Sequence, residues 1–130
     1  MAAAPTTTPA ATTTAAAVTQ RSTGERAVRD VLGRYASAYR TLNVGAAKAV
    51  WPSVDEKALG RAFAGLESQA IYFTDCQVSV VIVSAKAHCM GTAQFTPKVG
   101  NKTQHLETRE WTFDFQKTGE QWTIAHVDVH

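Results

Sequence analysis

The apolar residues of this chain change their spacing once. From Val28 to Leu66 they recur every three or four positions, and from about Glu67 onward they alternate with polar ones. A period near 3.6 lines one face of a helix, whereas a period of two lines one face of a strand. A single switch of this kind in 130 residues predicts an α+β domain. Three N-terminal helices pack on one face of a curved, four-stranded antiparallel sheet.

Local signals divide the two halves further. Ser22-Thr23-Gly24-Glu25 is a capping box, in which hydroxyl and carboxylate each satisfy an orphan backbone N–H. The stripe Val28, Val31, Leu32, Tyr35, Tyr39, Leu42 then predicts a helix over 24–42. Asn43 suits the cap of a short second helix over 44–50, which Trp51-Pro52 halts. A second capping box, Ser53 with Glu56, opens a third helix to about Gly65. Its apolar face is Leu59, Ala62, Phe63 and Leu66, and Gly65 suits a left-handed closing residue. Strands follow at about 68–80, 85–96, 103–117 and 121–129, the third carrying the alternation Trp111, Phe113, Phe115. The first hairpin turn falls at Val81-Ile82-Val83-Ser84, where Gly, Asn or Asp is expected. Either the tip is apolar and covered, as by a second subunit, or the turn lies elsewhere.

The first twenty residues carry no charge, no aromatic ring and one β-branched apolar residue, Val18. Ordering such a segment costs roughly 1–2 kcal/mol per residue with little apolar burial to offset it. Residues 1–20 are therefore expected to be a disordered Ala/Thr/Pro-rich leader or linker, and 21–130 the folded unit. The leader lacks the basic start and continuous apolar segment of a signal peptide and reads as a spacer from a longer protein. No apolar run approaches the roughly 20 residues that cross a bilayer, so this segment is not expected to insert in a membrane. All 13 Lys and Arg and all 11 Asp and Glu lie after residue 20, with the signs interspersed and a net charge of +2. Nucleic acid would require clustered cations, and that partner class is not expected.

Three stretches carry a family resemblance: Tyr35-Ala36-Ser37-Ala38-Tyr39 on the first helix, Trp51-Pro52-Ser53-Val54-Asp55 before the third, and Trp111-Thr112-Phe113, Lys117-Thr118-Gly119 and Trp122-Thr123-Ile124 in the final hairpin. In the order helix, short helix, helix, four strands, they resemble the nuclear transport factor 2-like superfamily. That group includes ketosteroid isomerase, polyketide cyclases and many small domains ending bacterial membrane and secreted proteins. The resemblance covers residues 25–129 and implies a cystatin-like cone, often with a ligand pocket, and a homodimer formed through the sheet. It also favours an extracytoplasmic or membrane-tethered location over a cytoplasmic one. A ketosteroid-isomerase-like site needs an Asp base facing a Tyr and a protonated acid. Tyr35, Tyr39 and Asp75 are the right types, but they do not match that motif position by position, and no catalytic role is carried over.

Several side chains are candidates for chemistry. With the turn centred between Ile82 and Val83, residues whose numbers sum to 165 face each other, which pairs Cys76 with Cys89, Val78 with Ala87 and Val80 with Ala85. The two cysteines, the only ones in the chain, are either a cross-strand disulfide or two reduced core thiols. His88 points to the opposite face from Cys89, so a catalytic thiol is disfavoured. His126, Asp128 and His130 alternate on the last strand and form a weak zinc candidate, against which a solvated strand end is the simpler reading. His105, Glu107 and Arg109 share a face with Trp111 and Phe113, which gives either a polar mouth to an apolar pocket or a solvated strand end. Tyr35, Tyr39, Trp51 and Tyr72 are expected at the helix–sheet interface, with Tyr39 and Asp75 as the pair best suited to orient a carbonyl-bearing ligand.

These residues favour a non-enzymatic accessory domain, tethered by its linker, that binds a small apolar molecule or a protein partner and needs no cofactor. The alternatives are a small isomerase or cyclase with acid–base residues in the cone, and a structural homodimerisation module. A polar cavity holding Asp75 or His105 would favour the enzyme. A cone plugged by Trp and Phe side chains would favour the structural module.

Overall fold

The computed structural model describes residues 23–130. The expected leader, Arg21 and the capping residue Ser22 lie outside the described residues. Helix α1 occupies 23–40, followed by α2 (Val44–Val50) and α3 (Glu56–Ala64). Four strands complete the domain: β1 (Leu66–Val81), β2 (Ser84–Pro97), β3 (His105–Thr118) and β4 (Gln121–Val129). They form one antiparallel meander in the order β1-β2-β3-β4. The α+β architecture therefore stands as the change of period predicts.

The helices keep their apolar stripes and change some of their caps. α1 buries Val28, Val31, Leu32, Tyr35 and Ala38 against the concave face of the sheet. It ends at Leu42, a non-glycine residue at φ 52°, two residues past the last helical turn. Asn43 caps α2 as expected, its side chain accepting from Ala46 N at 3.0 Å. The cap of α3 is Asp55, which accepts from Ala58 N at 3.0 Å, and not the expected Ser53. The Ser53 hydroxyl instead donates to the Ala125 carbonyl at 3.3 Å and ties this loop to β4. Gly65 closes α3 with φ −85°, outside the left-handed region expected for it. Of the apolar face expected on α3, only Phe63 is buried.

Besides a register shift at the start of β1, between Leu66 and Ser68, two irregularities bend the sheet. The β1–β2 register shifts between Phe73 and Asp75, leaving Thr74 as an extra residue whose hydroxyl bonds the Met90 carbonyl at 3.0 Å. Gly91 stands opposite Phe73 there, and a Cβ on it would lie 2.1 Å from the Tyr72 carbonyl oxygen. Only glycine permits that approach. A second shift between Asp114 and Phe115 makes Ala125 the extra residue of β4, the one held by Ser53. Bulges of this type bend a strand and increase its local twist, which curves the sheet around α1.

The bulge at Thr74 also reverses which residues of β1 face inward. Before it, Ile71 and Phe73 pack on the core; after it, Cys76, Val78 and Val80 do. Cys76 stands opposite Cys89, Val78 opposite Ala87 and Val80 opposite Ala85, in the register that the turn position predicts. Cys76 and Cys89 form a disulfide, the described residues holding no free cysteine.

Two outcomes are expected. Gly91→Ala lowers stability by at least about 2 kcal/mol, because the methyl has to displace backbone, and urea denaturation measures the loss. Replacing Cys76 and Cys89 together by Ala removes about 2–3 kcal/mol, the usual contribution of a bridge closing so short a loop. It is read as a lower urea midpoint than that of the oxidised parent.

Candidate functional site

The concave side of the sheet is where the fold offers a pocket, and aromatic side chains fill it. Trp111, Phe113 and Phe115 alternate inward from β3, as their spacing predicts, and each is at most 2 % exposed. Tyr35 of α1 sets its ring edge-on to Phe113, with centroids 5.1 Å apart. Phe73 reaches the same layer from β1, 5.1 Å from Trp111 and 6.0 Å from Phe113. Tyr39 lies 4.5 Å from Tyr35 and 5.2 Å from Phe63. Edge-to-face contacts of this kind add roughly 0.5–1.5 kcal/mol each beyond area burial. Among the described residues no charged side chain is buried.

The polar groups of this interior are two phenols. The two rings lie with centroids 4.5 Å apart and influence each other's titration, Tyr39 raising the Tyr35 pKa and Tyr35 lowering that of Tyr39. Burial is the larger cause for both and pushes each above its ordinary value of 10.0, Tyr35 further because the Tyr39 charge adds to it. Both phenols therefore remain neutral in neutral solution.

Beyond Trp111 the concave face turns polar where β4 has ended. Three rows run across β1, β2 and β3: Phe73–Gly91–Arg109, Ile71–Ala93–Glu107 and Gln69–Phe95–His105. The Arg109 guanidinium donates to the Glu107 carboxylate, so these two satisfy each other at the exposed rim. His105 stacks on Phe95 with centroids 5.0 Å apart and planes 17° from parallel. The Gln69 side-chain oxygen is buried there without a hydrogen-bond partner. Thus His105, Glu107 and Arg109 share a partly exposed strand end, and no hydrogen bond or ion pair joins them to Tyr39 or Asp75.

Other expected residues lie elsewhere. Tyr72 is 53 % exposed on the convex face, because the bulge reverses the inward parity set by Cys76, Val78 and Val80. Asp75 follows the bulge, is exposed and pairs across the ladder with Met90. The expected Tyr39–Asp75 pair therefore does not form. Asp75 instead lines an open cleft of about 440 Å³ between α1 and β1, with Arg29, Leu32, Gly33, Phe73, Thr74 and Cys76. Arg29 there donates to the Cys76 carbonyl at 3.1 Å and pairs with Glu25 at 3.4 Å. Trp51 is half-buried, 6.5 Å from Tyr35, and belongs to the core as expected.

The outer face of the sheet carries the remaining ionisable groups. His126, Asp128 and His130 share that face on β4, yet they do not converge. The His130 ring lies 3.2 Å from Asp128, and His126 stands opposite Asp114, which pairs with Lys86 at 3.8 Å. His88 lies on this face too, 3.4 Å from Glu110, and so points away from Cys89 as expected. Among the described residues no three His, Cys, Asp or Glu side chains are placed to hold a metal ion, which corrects the weak zinc candidate.

The helix order, the bulged meander and the aromatic concave face can now be compared with known folds. A protein of the NTF2-like family from Streptomyces avermitilis, named provisionally as a dehydratase, superposes with a TM-score of 0.74 at 14 % identity, covering 84 % of this chain and 96 % of that one. The fold is nuclear transport factor 2-like. An NTF2-like superfamily protein from Salmonella enterica serovar Typhimurium matches at TM-score 0.74 and 14 % identity, over 84 % of this chain and 91 % of its own. An NTF2-like protein with a cystatin-like fold from Novosphingobium aromaticivorans matches at TM-score 0.63 and 14 % identity, over 81 % and 79 %. No protein-family model and no curated protein matches the sequence. Identities of this size establish the NTF2-like fold and no activity.

The Tyr35–Tyr39 contact was missed in favour of Tyr39 with Asp75, although residues four apart on a helix are neighbours. Spacing did not reveal the cleft, whose signal was Gly33 inside an otherwise regular helix, where glycine is disfavoured by about 1 kcal/mol relative to alanine.

The raised phenol pKa values give a signed expectation. A group whose folded pKa is raised binds its proton more tightly when folded, so its stabilising effect is present below the unfolded value and is lost as pH rises above it. The melting temperature should fall steeply above about pH 10, and Tyr35→Phe should flatten that fall. In a Tyr72→Phe background, phenolate absorbance at 295 nm should appear only as the fold is lost.

Proposed function

We propose that this domain is a non-enzymatic accessory module that acts by binding a protein on its surface and not a small molecule within its cone. The observation that carries this reading is the filled interior. Tyr35, Phe73, Trp111 and Phe113 occupy the space where a ligand would lie, and Asp75 stands outside it. Exposed apolar side chains at Val81, Ile82 and Val83 supply a surface suited to a partner. The disulfide is consistent with an oxidising compartment and supports, as part of this reading, a location outside the cytoplasm. No described helix is long and apolar enough to cross a membrane.

A second reading, a small acid–base enzyme, is favoured by one observation: two neighbouring phenols, Tyr35 and Tyr39, with ring centroids 4.5 Å apart and kept neutral by burial. The Streptomyces avermitilis protein of the same fold, with its dehydratase name, supports it by analogy. One experiment separates the two. The oxidised domain is titrated with a panel of apolar ketones and followed by tryptophan fluorescence and by product analysis. Surface binding predicts no saturable change and no turnover. Saturable binding or turnover that Tyr39→Phe weakens at least ten-fold rejects it in favour of the enzyme.

A further inference from the structure

β1 is an outer strand of the sheet, and its register with β2 fixes which of its backbone groups have partners. In an antiparallel ladder, opposed residues alternate between pairs that exchange two hydrogen bonds and closer pairs that exchange none. Cys76 and Cys89 form a pair of the second kind. Their Cα atoms are 4.1 Å apart, and the Cys76 carbonyl accepts from Arg29, outside the sheet, at 3.1 Å. Val78 opposite Ala87 and Val80 opposite Ala85 follow at a spacing of two, with no register shift between them. The N–H and C=O of Val78 and Val80 thus point away from β2, and no other group among the described residues bonds them. Sheets guard such edges with Lys, Pro, a bulge or a covering element. From Gln77 to Val81 this edge has no Lys, Pro or bulge, and Arg29 closes it only at Cys76.

The side chains beside these backbone groups are graded. With Cys76, Val78 and Val80 on the core side, alternation sets Asp75, Gln77, Ser79 and Val81 on the convex face. Val81 is 63 % exposed, and the turn beyond it adds Ile82, 86 % exposed at φ 53°, a conformation that β-branched residues rarely take. At the other end, the Asp75 carboxylate has no ion pair or hydrogen bond among the described residues, and its ladder neighbour is Met90. Arg29, the cation of the same cleft, is already engaged by Glu25 and the Cys76 carbonyl. The free edge runs from an apolar end to an anionic one.

We infer that this edge receives an extended segment of the partner protein as a fifth, antiparallel strand, with an apolar residue opposite Val81 and a Lys or Arg opposite Gln77. Antiparallel pairing uses both the N–H and the C=O of Val80 and of Val78. Arg29 stops the ladder at Cys76, so the basic side chain reaches Asp75 along the diagonal, across the ~7–8 Å that long side chains span between strands. The pattern required is an apolar residue followed four positions later by a cation. A second copy of this chain does not meet it, because edges paired about Val78 set each Asp75 against the Val81 of the other. The inference rests on the surface-binding reading above and names the kind of segment bound.

A fluorescein-labelled, amidated peptide, Thr-Ile-Thr-Thr-Thr-Lys, sets Ile opposite Val81 and Lys opposite Gln77. Its anisotropy is followed as the oxidised full chain is added. Saturation is expected below about 1 mM. N-methylation of the peptide's last Thr, which faces Val78, should weaken binding at least about ten-fold, because it removes a main-chain donor and adds bulk to the ladder. Asp75→Asn should weaken binding about two- to five-fold, the range of an exposed ion pair. It should leave the melting temperature unchanged, since that carboxylate has no partner to lose. No saturation by about 1 mM, equal binding of the N-methylated peptide, or equal binding by Asp75→Asn overturns the inference. The surface-binding reading fails on a different result, ketone binding or turnover, to which this strand edge contributes nothing.

Discussion

Where Gly91 passes the carbonyl of Tyr72, β1 and β2 come so close that no side chain fits between them. The rest of the domain depends on that approach. It accommodates the extra residue Thr74, and the bulge bends the long first strand and exchanges its inward and outward residues. Cys76, Val78 and Val80 are thereby turned toward α1 on one side of the bulge, and Ile71 and Phe73 on the other. The opposing bulge at Ala125, held by Ser53, bends the far side of the sheet. Between the two, α1 lies in a trough whose floor is Ala85, Ala87 and Cys89, residues small enough to let a helix approach.

The trough is then completed by aromatic rings. Folds of this shape have room for a ligand when the residues lining the concave face are small. Here β3 contributes Trp111, Phe113 and Phe115, and α1 contributes Tyr35. Rings of this size each bury roughly 150–250 Å², so the material that could have walled a pocket becomes the core. What polarity remains is moved to the rim, where Arg109 and Glu107 neutralise each other, and to a phenol pair that burial keeps uncharged.

Much of this was legible before any coordinates. The change of apolar period predicts three helices and a meander. The position of one turn, though its residues are the wrong kind for a turn, fixes Cys76 opposite Cys89. Failures occur where a distant contact overrides a local preference. Ser53 and Asp55 are both good caps, and Ser53 loses the role because Ala125 recruits its hydroxyl across 72 residues of sequence. Tyr72 shares the parity of Cys76, Val78 and Val80, and alternation alone places it inside. One inserted residue at Thr74 turns it out. No periodicity argument detects a bulge, although a lone glycine in a strand, here Gly91, is the sign of one.

The disulfide joins two sulfurs in unequal surroundings, with Cys89 fully buried and Cys76 half-buried beside the cleft. Cys76 is the half of the bridge with surface open to solvent, so a reducing thiolate that approaches from solvent meets that side first. The leaving group is then a Cys89 thiolate, expelled into a core with no buried cation to receive it. Buried thiols in apolar surroundings have raised pKa values and make poor leaving groups. The accessible sulfur is therefore the one whose attack leads nowhere easily. The bond is guarded kinetically by the side of it that cannot be reached, and it persists in the presence of small thiols for as long as α1 stays on the sheet.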